Sequence, residues 1–182
     1  MRSDRPAEAD REPDEADCDG GLLPGGAGWL LRDVAVLLVT PDGRYLMQLR
    51  DNVPWLRVAD HWALFGGRIE EGETPRQAAL RELVEELEFR PQAMRWFTET
   101  GFVIPQLDVA PSRKTFFEVR IAHEDIAQMT LHEGAAMQLF TLEELLCEPR
   151  IVPWDAGVVI LHARQDRIFR KPTALPFAGV TP

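Results

Sequence analysis

Basic side chains are scarce in this sequence of 182 residues: 20 Lys and Arg stand against 30 Asp and Glu, which gives a formal net charge of −10. Broad binding to nucleic acid or to an anionic membrane depends on an excess of positive charge. The composition therefore argues against both kinds of partner. An anionic small molecule stays compatible with it, because a bound cation can supply the missing positive charge.

Cysteines and long apolar runs are also lacking. The two cysteines, Cys18 and Cys147, are too few for a disulfide scaffold, and this usage fits a reducing compartment. No apolar run approaches the about 18 residues of a membrane span, and the first residues lack the apolar stretch of a secretory signal. We therefore expect a cytoplasmic protein.

The length corresponds to about one domain, and the composition divides the chain into three parts. Residues 1–28 are acidic and then rich in Gly and Pro, with too few large apolar side chains to offset the entropy of ordering, so a disordered tail is expected. Residues 29–170 are predicted to form a single folded domain. Residues 171–182 contain several prolines and are expected to form an extended tail.

Strand and helix patterns alternate through the middle of the chain, which indicates an α/β or α+β fold rather than a helical bundle. The clearest helix begins with a predicted capping box between Thr74 and Gln77, and Pro91 bounds its far end. Strands are predicted at 33–40, 44–50, 61–65, 94–104, 114–121 and 136–140. Further helices are predicted from 141, as a short segment, and from 153 to about 169. Expected core residues are Met47, Trp62 and Phe65.

Three acids share one face of this first helix. At about 100° per residue, Glu82, Glu85 and Glu86 span roughly 100°, and we expect that face to be open. The residues predicted for the opposite, buried face are Leu80, Leu83, Val84 and Leu87. Like charges at this spacing repel, the helix dipole disfavours them near the C-terminus, and no Lys within the cluster relieves them. Such a cluster favours a hard divalent cation such as Mg²⁺.

The chain just before the helix strengthens this interpretation, because Gly66–Gly67 allows a close approach of backbone to a ligand. The chain has Gly67, then Glu73 after five intervening residues, and then the segment Arg81–Phe89 after seven more. These three parts resemble the Nudix box, G-x5-E-x7-R-E-U-x-E-E-x-G-U, where U is a bulky aliphatic residue. Two positions depart from the family pattern. Glu88 stands where the family usually has a Gly in the last turn of the helix, and Phe65 replaces a Pro often found before the two glycines.

The resemblance implies a fold and an activity. The fold is the Nudix fold, an α/β/α sandwich around a mixed β-sheet. The activity is hydrolysis of a diphosphate linkage in a nucleoside diphosphate joined to another moiety, X. The partner is thus a small-molecule nucleoside-diphosphate derivative, for which nucleotides, ADP-ribose and nucleotide sugars all stay open. A homodimer is also left open, since Nudix relatives are often dimers.

The resemblance also implies roles for individual residues. Glu82, Glu85 and Glu86 correspond to the ligands of Mg²⁺ or Mn²⁺, and the carbonyl oxygen of Gly67 to a further ligand. Arg81 and Glu73 correspond to a pair that orients the acids, although an ordinary ion pair on a helix surface would look the same.

Bound metal ions neutralise a diphosphate and activate water, and a carboxylate can then accept the proton of that water. Glu85 and Glu86 are the candidates for this step, and the sequence does not separate ligand from base. Glu133 is a third candidate, because some nucleotide-hydrolysing relatives carry a Glu-Gly pair before a late strand. The alternative is a loop acid beside a turn glycine, and the neighbouring His132 is expected at the surface.

Substrate contacts are harder to assign. Arg50 and Arg68 are candidates for phosphate contacts, and Trp55 for stacking on a base or sugar. For Arg50 and Trp55 the alternatives are a surface charge and partly buried packing. The pair Arg113-Lys114 could attract phosphate or simply mark an exposed strand start.

Two other functions on the same fold are considered. An isoprenoid-diphosphate isomerase needs a Cys paired with a Glu, and neither Cys18 nor Cys147 is well placed for this. A non-catalytic ligand-binding or regulatory domain is the other, and the intact set of acids argues against it.

Overall fold

A computed structural model describes residues 31–104, 106 and 109–168. Its six strands form one sheet in the order β3-β2-β1-β5-β4, with β6 paired to β2. Their bounds are β1 Leu31–Val39, β2 Tyr45–Leu49, β3 Trp62–Ala63, β4 Arg95–Ile104, β5 Val109–Arg120 and β6 Ala136–Phe140. The pair β1–β5 is parallel and the other pairs are antiparallel. The sheet is therefore mixed, as expected.

Five helices accompany the sheet in the described part of the chain. They are α1 Pro75–Leu87, α2 His123–Ile126, α3 Leu142–Cys147, α4 Pro153–Ala163 and α5 Gln165–Ile168. Among the described residues, no helix is both long and apolar enough to span a bilayer.

Helices cover both faces of the sheet, and β1 shows why. Alternate side chains of a strand point to opposite faces. Val34, Val36 and Leu38 pack in one core cluster with residues of α1. Ala35, Leu37 and Val39 pack in a second cluster with Val158 and Val159 of α4. This three-layer α/β/α arrangement confirms the predicted fold class, and Met47, Trp62 and Phe65 are buried as expected.

The residues at both ends of α1 explain where the helix begins and ends. The Thr74 hydroxyl accepts a hydrogen bond from the Gln77 backbone N–H at 3.3 Å, and the Gln77 side chain accepts one from the Thr74 backbone N–H at 2.9 Å. This confirms the predicted capping box. Glu88 adopts the left-handed conformation with φ of +53°, at a cost of about 1 kcal/mol relative to glycine. Its carboxylate lies 2.7 Å from Nε2 of His132.

Several predicted boundaries are wrong. The long helix predicted from 153 to about 169 ends at Ala163, where Arg164 leaves helical geometry, and α5 follows as a separate turn. Ala163 and Arg164 are both exposed, so no tertiary burial supports a continuous helix there. In addition, β5 begins five residues before the predicted 114, β3 is shorter than predicted, and α2 was missed. The predicted tails at 1–28 and 171–182 lie outside the described residues.

Candidate active site

The pair Gly66–Gly67 lies against β1, and its geometry requires glycine at the first position. Val36 N donates to the Phe65 carbonyl at 2.9 Å, and Val34 N donates to the Gly67 carbonyl at 2.8 Å. Gly66 has a φ of +135°, and a Cβ there would lie 2.4 Å from the Val34 carbonyl oxygen. Backbone alone fits this space, so the loop can hold its amide groups next to α1.

Glu86 uses one of those amides. Its carboxylate accepts a hydrogen bond from Gly66 N at 3.0 Å and another from Nε2 of Gln48 at 3.0 Å. The side chain is buried, so the expectation that all three acids share an open helix face is wrong for Glu86. Burial raises the pKa of Glu86 to about 8, against the lowering effect of these two hydrogen bonds.

The opposite face of α1 also differs in part from the helical wheel. Leu83 and Leu87 are fully buried as predicted, whereas Leu80 and Val84 are only half-buried. The buried stripe is therefore turned toward Glu86, which sits on the side of the helix that meets β2 and the glycine pair.

Glu82 packs directly on the second glycine. A Cβ on Gly67 would lie 2.4 Å from Oε1 of Glu82. Burial raises the pKa of Glu82, a hydrogen bond from Arg81 partly lowers it, and the negative charges of Glu85 and Glu133 raise it again. Gly67 thus leaves room for a carboxylate, and the acids around it act on one another electrostatically.

Arg81 donates hydrogen bonds to three of the acids in this part of the structure. Its Nε and Nη2 donate to the two carboxylate oxygens of Glu73 at 2.9 and 3.0 Å, and its Nη2 also donates to the Arg68 carbonyl at 2.9 Å. Its Nη1 donates to Glu82 at 2.9 Å and to Glu85 at 3.0 Å. The resemblance pairs Glu73 with Arg81, and the structure places them in contact. The expectation of unrelieved repulsion is wrong, because Arg81 is the relieving cation.

The donor set fits a hard divalent cation in its chemistry. Carboxylate oxygens are the preferred ligands of Mg²⁺, and those of Glu82 and Glu85 already converge on one cationic nitrogen of Arg81. Within the described residues, no three His, Cys, Asp or Glu side chains are close enough to enclose an ion as they stand. Arg81 engages two of the acids, Glu82 and Glu85. The Gly67 carbonyl, a predicted ligand, accepts one hydrogen bond from Val34 and keeps one lone pair.

The loop that carries Glu133 is pinned beside the same acids. His132 N donates to the Glu86 carbonyl at 2.9 Å, and Ala135 N donates to the Leu49 carbonyl at 2.8 Å. Gly134 has a φ of +91° and lies against Leu49 and Gln48. Glu133 is exposed, and its charge raises the pKa of both Glu82 and Glu86. His132 is at the surface, as predicted.

A cleft of about 470 Å³ opens on the α4 side of the sheet and reaches Gly66–Gly67. The predicted phosphate contacts Arg50 and Arg68 both line it. The Nε atom of Arg50 is buried without a hydrogen-bond partner among the described residues. The alternative of partly buried packing for Trp55 is wrong, because this side chain is 82% exposed. Trp55 does not line the cleft itself, although Leu56, the next residue along its loop, does.

Four other side chains line this cleft together with the predicted ones, and sequence reasoning missed three of them: Phe102, Trp154 and Asp155. The fourth is Lys114. Lys114 was noted only together with Arg113, and alternation along β5 separates the two. Arg113 pairs with Glu99 at 2.6 Å, whereas Lys114 pairs with Asp155 at 3.1 Å. The strand period was the available signal for Lys114. Nothing local in the sequence marked the other three.

Cys147, the cysteine within the described residues, takes no part in this site. Cys147 is exposed at the end of α3 and does not line the cleft. Cys18 lies outside the described residues. The isomerase alternative therefore gains no support from Cys147.

Comparison with known proteins agrees with this geometry. The family model for the NUDIX domain matches residues 29–161. The chain is 30% identical over 149 residues to a Mycobacterium tuberculosis protein named "Putative 8-oxo-dGTP diphosphatase 3". That match covers 71% of this chain and 64% of the relative's length. The chain therefore belongs to the Nudix family, and the predicted resemblance is confirmed.

Solved structures show the same fold at low identity. A MutT protein from Methanosarcina mazei Go1 is 20% identical with a TM-score of 0.60, over 78% of this chain and 96% of that one. A C. elegans Ap4A hydrolase is 16% identical with a TM-score of 0.60, over 77% and 100%. The NUDIX domain of Shewanella oneidensis NrtR, solved with ADP ribose, is 20% identical with a TM-score of 0.56, over 85% and 98%.

Proposed function

We propose that this chain is a divalent-metal-dependent hydrolase that cleaves a diphosphate linkage in a nucleoside-diphosphate derivative. The observation that carries the proposal is the position of the acids. Glu82 and Glu86 contact the pair Gly66–Gly67, and this pair also lines the cleft. A ligand held in the cleft can therefore pass its phosphates over two glycines, where no side chain obstructs them, to the carboxylates.

We assign different roles to the acids according to their environments. Glu82, Glu85 and Glu86, with the carbonyl of Gly67, would hold Mg²⁺ or Mn²⁺. The bound cations would neutralise the diphosphate and lower the pKa of an attacking water. Glu85 is the most exposed of the three, and it is our first candidate for accepting the proton of that water, with Glu86 and Glu133 as the others.

Arg81 and Glu73 orient the acids rather than touching the substrate. Two guanidinium nitrogens, Nε and Nη2, bind the one carboxylate of Glu73, and this contact fixes the plane of the guanidinium group. The third nitrogen, Nη1, is thereby directed between Glu82 and Glu85. When a metal ion attracts these carboxylates, the pair with Glu73 keeps Arg81 in place beside them.

Arg50 is the best candidate for a phosphate contact, because its buried Nε lacks a partner in the described part of the chain and desolvation of an unpaired donor is costly. It follows Gln48, which binds Glu86, by two residues, and it lines the cleft. Arg68 is more exposed and would contribute attraction rather than a fixed contact. Trp55 is proposed to stack on a bound ligand from the exposed tip of its loop.

The relatives guide the choice of substrates. The names given to these proteins refer to 8-oxo-dGTP, Ap4A and ADP ribose, which are all nucleotides with at least two linked phosphates. A phosphate-release screen should therefore cover nucleoside triphosphates and their oxidised forms, dinucleoside polyphosphates, ADP-ribose and nucleotide sugars. Each is assayed with Mg²⁺, with Mn²⁺ and with EDTA.

The expected result is hydrolysis of at least one class with a divalent cation and none with EDTA. Turnover that persists in EDTA would contradict metal dependence. If no class is hydrolysed and calorimetry detects no binding of millimolar Mg²⁺ or Mn²⁺, the non-catalytic alternative would replace this proposal.

A further inference from the structure

Two aromatic rings line the same cleft as the glycine pair. Phe102 of β4 and Trp154 of α4 stack with ring centroids 4.7 Å apart and planes 7° from parallel. Both rings are half-buried and both line the cleft. The two rings cover each other's inner faces, so a planar ring of a ligand could stack only on an outer face of this pair, where it would also bury apolar area.

Lys114 is one of the polar groups of this cleft, and it is paired with Asp155, the residue that follows Trp154 in α4. Its ammonium group donates to Oδ1 of Asp155 at 3.1 Å and lies 5.6 Å from the ring centre of Phe116. The side chain is only 13% exposed, and what is exposed lines the cleft. An ammonium group has three donors and no acceptor, so the donors that Asp155 leaves over are available to an acceptor of a ligand.

Asp155 holds this donor in place without reaching the ligand. It is fully buried, and its second oxygen accepts a hydrogen bond from Leu64 N at 3.0 Å. Both carboxylate oxygens are therefore engaged within the protein. Asp155 is a positioning residue, and Lys114 is the group of this pair that presents hydrogen-bonding atoms to the cleft.

A hydrogen-bond donor such as the ammonium group of Lys114 can discriminate among purines by the groups on their edges. Guanine and hypoxanthine present two adjacent acceptors, O6 and N7, and Lys binds that edge well, whereas adenine places an amino donor next to N7. The amino group of adenine and the ammonium group of Lys114 would then face each other as two donors without an acceptor between them. We propose that the cleft selects a 6-oxopurine over adenine and that Lys114 is the specificity-determining residue. This inference rests on the proposed function, because it assumes that the nucleoside part of the substrate lies in this cleft.

Inosine monophosphate and adenosine monophosphate test the inference, because they carry the same phosphate and sugar and differ at purine position 6. Both are titrated by calorimetry into the protein with EDTA, so neither metal nor hydrolysis contributes. We expect inosine monophosphate to bind about tenfold more tightly, within the range of a good base-edge contact. Equal affinities, tighter binding of the adenine nucleotide, or no binding of either would overturn the inference. The hydrolysis screen decides the proposed function separately.

Variants of Lys114 and its neighbours test whether Lys114 causes this preference for inosine monophosphate. Lys114→Met should reduce the preference to within about twofold of parity, and Lys114→Arg should retain most of it. Because Lys114→Met leaves Asp155 buried without its cation, the double variant Lys114→Met with Asp155→Asn repeats the test with both charges removed. Arg113→Met is the matched control: it removes the same charge one residue away, from a side chain paired with Glu99. A preference that survives both Lys114→Met and the double variant would overturn the role of Lys114.

Discussion

The carboxylate of Glu86 accepts a hydrogen bond from the backbone N–H of Gly66 at 3.0 Å, across 20 residues of sequence. This contact joins the acidic side of α1 to the loop that pairs with β1. It also explains how a carboxylate can be almost fully buried at this point, since Gln48 supplies a second donor. The site is thus built by backbone geometry at Gly66 as much as by the acids themselves.

The geometry at Gly66 predicts a large loss of stability for Gly66→Ala. A Cβ there would meet the Val34 carbonyl oxygen at 2.4 Å, in a positive-φ conformation. The matched control is Gly72→Ala, which also has positive φ but nothing within 4 Å of its Cβ. Urea unfolding should show a loss of about 1 kcal/mol for the control and at least about 2 kcal/mol more for Gly66→Ala. Equal losses would mean that the close approach to β1 is not as described.

Arg81 should not be replaceable by lysine. The two-nitrogen contact with Glu73 and the contacts with Glu82 and Glu85 need the guanidinium fork, which an ammonium group cannot reproduce. Steady-state kinetics should show a reduction of about ten- to hundredfold in kcat/KM for Arg81→Lys, the range for residues that orient metal ligands. Arg90→Lys, on an exposed arginine just after α1, is the control and should keep the normal rate. A normal rate for Arg81→Lys would refute the orienting role.

Metal binding should release a proton. Because burial raises the pKa of Glu86 to about 8, the metal-free protein holds a proton on this side chain at pH 7, and a cation must displace it. The apparent affinity for Mn²⁺ should therefore rise with pH up to about 8 and change less above it. Calorimetry in buffers of different ionisation enthalpy should detect about one released proton at pH 7. Metal binding without proton release at that pH would contradict the burial of a protonated Glu86.

The same pKa shift has a consequence for stability. Between the ordinary carboxyl pKa of 4.5 and about 8, folded Glu86 keeps a proton that the unfolded chain has lost. The free energy of unfolding of the metal-free protein should therefore fall as pH rises through this window. Glu86→Gln should remove that contribution, since glutamine does not titrate. A pH dependence unchanged by Glu86→Gln would show that another group is responsible.

A second buried carboxylate, away from the cleft, should matter for folding alone. Burial by itself raises the pKa of Glu118, but the contact with Nε2 of His162 at 3.1 Å, the hydrogen bond from Arg95 and the charge of Arg120 lower it to about 2. Its stabilising effect should therefore be present above the ordinary pKa of 4.5 and be lost as pH falls toward 2. Glu118→Gln should cost about 3 kcal/mol at pH 7, as measured by urea unfolding. Glu124→Gln, on an exposed acid of α2, should cost almost nothing; similar losses would contradict the network.

The parts of this site that the sequence predicted are local. The capping box of α1 and the contact of Glu73 with Arg81 join residues three and eight positions apart. The spacing from Gly67 to Phe89 lies within one loop and the helix that follows it. The burial of Glu86 was missed because a helical wheel treats the helix in isolation. Its partner Gln48 comes from a strand 38 residues earlier, which no local pattern reveals.

The cleft was the least predictable part. Phe102, Lys114 and Trp154 come from two strands and a helix, and they meet only because β5 lies parallel to β1 and α4 packs across that face. Trp154 and Asp155 lie in the first turn of α4, where the sequence indicated only a helix start. When side chains from separate strands and helices line one cleft, their proximity can be inferred only after the topology of the fold is known.

The most direct test of the account is the hydrolysis rate of Glu86→Gln with the best substrate of the screen, at saturating Mg²⁺ or Mn²⁺. The variant keeps the size of the side chain and an oxygen for Gly66 N, so the fold should persist, as circular dichroism would verify. We predict a fall in kcat of about a hundredfold or more, because the site loses a carboxylate that holds the metal ion. A folded Glu86→Gln protein with the full wild-type rate would contradict the assignment of the acids around Gly66 and Gly67 as the hydrolytic site.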